Sequence, residues 1–408
     1  MGDRFGIGII GCGEISVAHN AAYRGLAEHC QVVAVSDVME AVAKRRAEEF
    51  GVETVYPDWH ALLEDKRIDA VAICTPHYLH APMAIAAAKA GKHVLVEKPM
   101  CMNTGEVLEM TAAARANGVK LAMSSEVVNP RHRFIKEHVL PEIGPVAFSY
   151  LSDLYYRDLS YYEKARWRGT WRREGGGIFV NQAIYTWDTY QWLLGGVDAA
   201  YGYWTNLLHP NTEVEDTGYG LVRFKNGTVG KLLATSMCEA PDDHIWMRIV
   251  GAEGELYADE GWLYEIDFKL RDEQKEARLR AQMEDHLKSL QGPGLQDWTS
   301  RHDRRVMLQM YDIIQAVKEG RPVTVSPECS GEAMKILNGI HWSGWNHADA
   351  FRSWAYQNFD LPQASGPSPL PNADDSKRRG WHGGTLVDRL MKIVTDPTPT
   401  LEAPFLGY

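Results

Sequence analysis

The sequence predicts two folded domains, an α/β domain with a parallel sheet followed by an α+β domain with a large, mainly antiparallel sheet. The first observation is the length of 408 residues, because domains usually contain about 100–200 residues. The second is that short apolar segments alternate with helical ones up to residue 126, and the third is that longer segments of alternating polar and apolar residues follow. We therefore place the first domain at 1–126, the second at 127–365 and a C-terminal tail at 366–408.

The first domain is expected to contain six strands joined by crossover helices. Each apolar segment has the length of a buried strand and is followed by a segment with helical periodicity. Parallel strands need such crossovers. The predicted strands are 5–10, 31–36, 52–56, 70–74, 93–97 and 120–123, and the predicted helices are one ending near 26 and those at 39–50, 59–64, 81–90 and 104–117.

The second domain shows strand alternation interrupted by turn residues. Asn226-Gly227 separates two alternating segments, 219–224 and 228–236, and this dipeptide favours a hairpin turn. Helices are expected at 180–194 and 301–318, both within this domain, because a glycine follows each. The charged segment 268–290 predicts a solvated helical insertion. The Pro- and Gly-rich tail is expected to pack on another surface.

Composition and charge exclude several classes of protein. With 43 Lys+Arg and 54 Asp+Glu the net charge is −11, which argues against general binding to nucleic acid or anionic membranes. No apolar run approaches the roughly 18 residues of a membrane helix, and no signal peptide is recognisable at the N-terminus. We therefore predict a cytoplasmic protein. Its six cysteines include no CxxC pair and are expected to be reduced.

A glycine-rich turn follows the first predicted strand. Gly11 and Gly13 fit the turn that lets a backbone approach a pyrophosphate, and Ser16 stands where a third glycine is usual. Glu14 and Ile15 then begin the helix, whose N-terminal N–H groups favour phosphate. This context predicts a Rossmann domain that binds a dinucleotide.

The residue at the end of the second strand predicts which dinucleotide is bound. Asp37 can accept hydrogen bonds from both adenine-ribose hydroxyls and would repel a 2′-phosphate. Val38 and Met39 offer no cation, although Lys44 and the two arginines after it lie further along the helix. NAD is therefore favoured over NADP.

Further motifs resemble those of the Gfo/Idh/MocA oxidoreductase family, which includes glucose-fructose oxidoreductase and inositol dehydrogenases. The resemblance covers residues 5–365, and the tail has no counterpart. The motifs are, in order, Gly11-Cys-Gly13, Cys74-Thr-Pro76 with His80, Glu97-Lys-Pro99, Trp167-Arg168, Gly175-Gly-Gly177, Asn181, Tyr185 and Asp188.

The resemblance implies a cofactor site and a substrate site. Lys98 is expected to point at the reacting carbon, and Trp167 and Arg168 to lie near cofactor and substrate. Tyr156 belongs to an aromatic and basic neighbourhood that suits a sugar face, an oligomer contact or core packing equally well. The remaining residues expected to bind the cofactor are Thr75, Pro76, His80 and Glu97. A homo-oligomer, a dimer or a tetramer, is also expected.

This chain departs from the family at two helix positions. Asn181 and Tyr185 stand where the family most often carries Asp and His, and their i, i+4 spacing places them on one helix face. Tyr185 is expected to take the hydroxyl proton, helped by the positive charge of Lys98. Alternatively Tyr185 only packs or binds substrate, and Lys98 or water handles the proton. Asn181 is expected to orient a substrate hydroxyl or Lys98, and Asp188 could be structural.

Three functions remain open from the sequence. The main prediction is an NAD-dependent oxidoreductase that transfers hydride between the cofactor and a secondary alcohol of a sugar, inositol or glycoside. The alternatives are a redox-neutral glycosidase or epimerase with tightly bound NAD, and a non-catalytic NAD-binding regulator. His209, His244 and His341 lack ligand-like spacing, so no catalytic metal is expected.

Overall fold

The computed structural model describes residues 4–207, 209, 211–238, 244–258, 266–290 and 301–358, without the side chains of 301–302 and 345–358. The chain forms two compact units. The first contains residues 1–142 and 270–332, and the second contains 143–269 and the chain from 333 onward. The expected tail, 366–408, lies outside the described residues. Among the described helices, none has the length and apolar character of a membrane span.

In the part of the chain that the structure describes, thirteen strands form two sheets. They are β1 Phe5–Ile10, β2 Cys30–Ser36, β3 Thr54–Tyr56, β4 Ala70–Ile73, β5 His93–Val96, β6 Leu121–Met123, β7 Val146–Leu154, β8 Val197–Thr205, β9 Thr217–Phe224, β10 Val229–Thr235, β11 His244–Gly251, β12 Gly254–Ala258 and β13 Asp267–Leu270.

Eleven α-helices accompany them in the described chain. They are α1 Glu14–Gly25, α2 Glu40–Phe50, α3 Trp59–Glu64, α4 His80–Lys89, α5 Thr104–Ala116, α6 Pro130–Phe134, α7 Leu159–Glu163, α8 Ile184–Leu193, α9 Glu273–Ser289, α10 Arg301–Lys318 and α11 Pro327–Asn358.

The first sheet is parallel, with strand order β3-β2-β1-β4-β5-β6. This confirms the predicted Rossmann fold. Ile7, Ile9 and all of β4 are fully buried, as expected for strands covered on both faces. The strand order reverses between β1 and β4, and such a switch point opens a crevice at the carboxyl ends of the strands.

The structure places α10 in the first unit, whereas the sequence analysis assigned it to the second domain. Val306, Met307, Met310 and Ile314 are fully buried in the core that also contains Tyr23 of α1. The glycine that follows the helix predicts where it ends, but not the core on which it packs.

The charged segment 268–290 is not one helical insertion. Its first residues form β13 in the second sheet, and Asp272 caps α9 by accepting the N–H groups of Gln274 and Lys275, each at 3.0 Å. Leu279 and Met283 of α9 are buried. The helix is therefore partly packed rather than wholly solvated.

The second sheet has seven strands in the order β13-β12-β11-β7-β10-β9-β8. Among the pairings that the structure describes, β7 and β10 are parallel and the others are antiparallel, so the predicted, mainly antiparallel sheet is confirmed. The predicted hairpin joins β9 and β10, with Gly227 at φ +87° and the Asn226 side chain accepting the Thr228 N–H at 3.0 Å.

One face of this sheet carries α8. Tyr190 of α8 donates to Ser149 of β7 at 2.7 Å, and its ring packs edge-on against Phe224 of β9. The opposite face is rich in exposed apolar side chains, namely Phe148, Tyr201, Tyr219, Leu221, Val229 and Trp246.

Candidate active site

The glycine turn after β1 has the shape that a pyrophosphate needs. Gly11 has φ +94°, and a Cβ there would lie 2.6 Å from the Cys74 carbonyl oxygen. A Cβ at Gly13 would meet open space, with no described heavy atom beyond its chain neighbours within 4 Å. The Ser16 hydroxyl donates to the Gly13 carbonyl at 2.6 Å and thereby closes the turn. The backbone and the N-terminus of α1, which begins at Glu14, thus fit a phosphate group.

Asp37 is held at the end of β2 by two backbone groups. Its carboxylate accepts the N–H of Cys12 at 2.9 Å and the N–H of Met39 at 2.8 Å. Each oxygen retains a lone pair, so the ribose hydroxyls could still donate to it. Burial and the charge of Asp37 raise the pKa of the Cys12 thiol to about 12, which makes this cysteine a neutral part of the turn.

The basic side chains further along α2 form ion pairs with glutamates. Lys44 contacts Glu40 at 2.6 Å, Arg45 lies 3.8 Å from Glu49, and Arg46 contacts Glu49 and donates to the Cys12 carbonyl at 3.3 Å. These side chains do not supply an unpaired cation for a 2′-phosphate. The structure therefore fits NAD.

His80 lies inside the first unit instead of lining an open surface. The ring is fully buried, with Nδ1 2.7 Å from the Pro99 carbonyl oxygen and Nε2 2.8 Å from that of Thr75. Burial lowers its pKa, although the two carbonyl contacts act in the opposite direction. The ring ties the loop after β4 to the loop after β5.

Glu97 is also an interior residue. Its Oε1 lies 3.0 Å from His19 Nε2 and 4.0 Å from Arg305 Nη2, and its Oε2 accepts the Lys98 N–H at 3.1 Å. Burial alone would raise the pKa of Glu97, but the hydrogen bond to His19 and the charge of Arg305 hold it well below the usual range. Glu97 therefore anchors the backbone that carries the half-buried Lys98.

The helix with Asn181 and Tyr185 is not regular. A π-helical turn, Phe179–Ala183, contains Asn181, and α8 then places Tyr185 at its second position. A π turn holds an extra residue, because its hydrogen bonds run i→i+5. Tyr185 thus follows Asn181 across the junction between the π turn and α8. Tyr185 is half-buried, and Asn181 is 3% exposed.

Asn181 belongs to a closed ring of side chains in the second unit. Arg168 donates to the Tyr161 hydroxyl at 2.5 Å, Tyr161 donates to Asn181 Oδ1, and Asn181 Nδ2 donates to Glu174 Oε1. Arg168 Nη1 lies 4.0 Å from Glu174 and closes the ring. Gln182 adds a hydrogen bond to Asn181 Oδ1 at 3.0 Å. Glu174 is not among the residues predicted from the sequence.

The Arg168 guanidinium contacts two aromatic rings. Its centre is 4.4 Å from the ring centroid of Tyr161 and 4.8 Å from that of Trp167. Its side chain is 21% exposed. These two cation–π contacts orient the guanidinium. Tyr156 is 42% exposed and pairs through its backbone with Met237.

The glycine triplet serves packing within the second unit. A Cβ at Gly177 would lie 1.9 Å from the Glu215 carbonyl oxygen, and one at Gly176 would lie 2.8 Å from His341 Cε1. Any side chain here would push the helix away from Glu215. Asp188, for which a structural role was one possibility, is buried and accepts a hydrogen bond from Gln191 at 3.4 Å.

Glu174 has an unusual ionisation. Burial raises its pKa to about 7, and the charge of Glu215 adds to this effect. The Gly169 N–H, Arg168 and Asn181 act in the opposite direction.

Among the described residues, no group of three or more His, Cys, Asp or Glu side chains could hold a metal ion.

Two family models match this chain. One, described as the oxidoreductase family with NAD-binding Rossmann fold, matches residues 5–125, and the other, its C-terminal alpha/beta domain, matches residues 133–343. These matches agree with the resemblance seen in the motifs.

Individual relatives are dehydrogenases. Myo-inositol 2-dehydrogenase of Thermotoga maritima is 27% identical over 332 residues, 79% of this chain and 91% of the relative. Levoglucosan dehydrogenase of Pseudarthrobacter phenanthrenivorans is 26% identical over 284 residues, 61% of this chain and 72% of the relative. The WlbA dehydrogenase from Bordetella pertussis, solved with NADH and UDP-GlcNAcA, has a TM-score of 0.75 at 24% identity and covers 85% of this chain and 97% of its own. That structure supports the fold.

The matches confirm the predicted fold, the NAD cofactor and the NAD-dependent oxidoreductase function. They agree with the geometry of the glycine turn and Asp37, which was established from this chain alone. The chain belongs to the Gfo/Idh/MocA family of oxidoreductases.

Proposed function

We propose that this protein transfers hydride between NAD and a secondary alcohol of a sugar, inositol or glycoside. The observation that carries the proposal is in the first unit, where the open glycine turn and the anchored Asp37 accompany Lys98 at the carboxyl end of β5. Ligands of open parallel sheets bind at this end of the strands. The inositol and levoglucosan dehydrogenases among the relatives support the substrate class.

The first unit holds the cofactor. Gly11, Gly13 and the N–H groups of Glu14 and Ile15 bind the pyrophosphate, and Asp37 binds the adenine ribose. Thr75 and Pro76 border the nicotinamide side. His80 and Glu97 support this site from inside, since both are buried and bonded to the loops that carry Thr75 and Lys98. Bound NAD supplies the hydride acceptor.

The residues that the sequence motifs single out act on the substrate. Lys98 stabilises negative charge on the reacting oxygen, and Tyr185, ionised to its phenolate, accepts the hydroxyl proton when an alcohol is oxidised. Arg168, whose guanidinium contacts the rings of Trp167 and Tyr161, donates hydrogen bonds to substrate or cofactor oxygens. Tyr156 offers an exposed ring to a sugar face. Asn181 acts from beneath the surface, because its amide already bonds Tyr161 and Glu174.

A substrate screen tests the proposal. Purified protein is mixed with NAD and a panel of inositols, monosaccharides and glycosides, and NADH is followed by its absorbance near 340 nm with product analysis. We expect at least one secondary alcohol to be oxidised to a ketone. Conversion of a glycoside without net NADH would indicate the redox-neutral alternative, and no conversion of any compound would contradict the proposal.

We also propose that the protein is a homo-oligomer that associates through the open face of the second sheet. Cross-strand register places Leu221 beside Tyr201 and Lys231, so the exposed apolar residues share this face. A contiguous apolar patch of this kind marks an interaction site. We expect Leu221→Asp to lower the mass measured by light scattering, whereas Leu108→Asp, on the exposed side of α5, should not. A wild-type monomer would contradict this proposal.

A further inference from the structure

Glu174 is a buried carboxyl to which the function above assigns no role. The residue is 0% exposed and directly precedes the glycine triplet. Its Oε1 accepts a hydrogen bond from Asn181 Nδ2, and its Oε2 accepts one from the Gly169 N–H. The cost of burying such a group is large unless its partners are specific. The site around Glu174 is therefore built for a carboxyl.

The hydrogen bonds in this ring all run in one direction. Arg168 donates to Tyr161, Tyr161 donates to Asn181, and Asn181 donates to Glu174. A carboxylate only accepts hydrogen bonds, whereas an amide can be turned over to exchange its donor and acceptor ends. Glu174 thus determines that Asn181 presents its oxygen to Tyr161 and Gln182.

Arg168 has more hydrogen-bond donors than this ring of side chains uses. One Arg168 nitrogen bonds Tyr161, and within its own unit, as far as the structure describes it, the other N–H groups have no protein acceptor. The guanidinium is partly exposed and makes cation–π contacts with two rings. Its remaining donors suit an oxygen-rich ligand.

We propose that Glu174 is a positioning residue for hydride transfer, acting through Asn181 and Tyr161 to fix the orientation of Arg168. This inference rests on the proposed function. It extends that function by making a buried carboxyl, which touches neither substrate nor cofactor, necessary for binding the reacting alcohol correctly.

Exchanging the two partners tests the proposal. In Glu174→Gln the new amide nitrogen faces the amide nitrogen of Asn181, and in Asn181→Asp two carboxyls face each other. In the double variant the amide at position 174 donates to the carboxylate at position 181, and its oxygen still accepts the Gly169 N–H. We expect each single change to lower kcat/KM for the best alcohol of the screen by about 10- to 100-fold. The double variant should recover to within about 5-fold of the wild type.

A matched control and a second measurement complete the test. Glu213 is a neighbouring carboxylate that accepts the Trp171 N–H at 3.1 Å outside the ring, so Glu213→Gln should retain wild-type kcat/KM. Urea unfolding of the four proteins of the cycle measures coupling between the two positions without any substrate. If the wild type oxidises no alcohol but the unfolding cycle shows coupling, the proposed function fails and the pairing stands.

Three results would overturn the inference. The first is a folded Glu174→Gln variant with wild-type kcat/KM. The second is a folded double variant no better than the worse single variant, which would indicate a merely structural role. The third applies if Glu174→Gln does not fold. A double variant that folds and is active then supports the inference, and one that does not fold or is inactive refutes it.

Discussion

Asp153→Asn should stabilise the protein increasingly as the pH rises. Asp153 lies on β7 and is fully buried, with Oδ1 2.7 Å from the Thr186 hydroxyl and Oδ2 accepting the Trp187 indole N–H at 3.1 Å. The Thr186 hydroxyl also lies 2.7 Å from the Ala183 carbonyl oxygen. Thr186 has one hydrogen, so when it donates to Ala183, the hydrogen between Thr186 and Asp153 must belong to the carboxyl. Asparagine can supply that hydrogen at every pH.

The pKa of Asp153 fixes the size and sign of the effect. Burial raises this pKa from 3.8 to about 8. Between these values the folded protein retains a proton that the unfolded chain has lost, so the free energy of unfolding falls by about 1.4 kcal/mol per pH unit. Asparagine does not titrate in this range, so the free energy of unfolding of the variant does not fall for this reason. Its advantage over the wild type should therefore grow by roughly 3 kcal/mol from pH 5 to pH 7.

Urea unfolding at a series of pH values measures this advantage. The difference in unfolding free energy between Asp153→Asn and the wild type should rise with pH and level off above the folded-state pKa. Asp198→Asn is the control, because that carboxylate is 48% exposed and pairs with Arg223 at the surface. A difference that stays constant with pH would refute the neutral buried carboxyl.

Three further predictions concern the proposed active site. Asp37→Ala should weaken NAD binding and reduce the preference for NAD over NADP, because the acceptor for the ribose hydroxyls and the charge that repels phosphate are both lost. Titration with both cofactors measures this, and unchanged dissociation constants would contradict the role of Asp37. Lys98→Ala should lower kcat by at least about 10²-fold with NAD binding retained in calorimetry, and a near wild-type rate would remove Lys98 from the chemistry. Tyr185→Phe should lower kcat by about 10²- to 10⁴-fold with cofactor affinity retained, and wild-type kcat would transfer the base role to Lys98 or water.

The first sheet could be predicted because its signals are local. Each strand is a short apolar run, and the glycine turn and Asp37 follow strands directly, so spacing along the chain sufficed. The position of α10 could not be predicted in this way. An amphipathic stripe shows that a helix packs on something, but Met307 and Met310 meet α1 only after the chain has returned from the second unit.

Residues of the candidate site that stand in sequence motifs could be predicted, whereas residues whose role depends on burial and on distant partners could not. The motif around Lys98 was recognisable, but the interior role of Glu97 depends on His19, 78 positions away, and on Arg305. Glu174 stands in a segment without periodicity, and the only hint was its position before the glycine triplet. The π turn at Asn181 adds one residue to a helix turn, which apolar spacing alone does not show.

Three buried carboxyls show that depth alone does not decide ionisation in this protein. Glu97 has His19 and the charge of Arg305 beside it, and its pKa is lowered despite burial. Glu174 has Arg168 at 4.0 Å and two N–H donors, and its pKa is raised to about 7. Asp153 bonds only neutral groups, and its pKa is raised to about 8. The order follows the number of charged groups of each sign, because His19 and Lys98 add to the effect of Arg305 at Glu97, whereas Glu215 opposes that of Arg168 at Glu174. The carboxyl that anchors Lys98 is therefore the one of the three whose pKa is lowered.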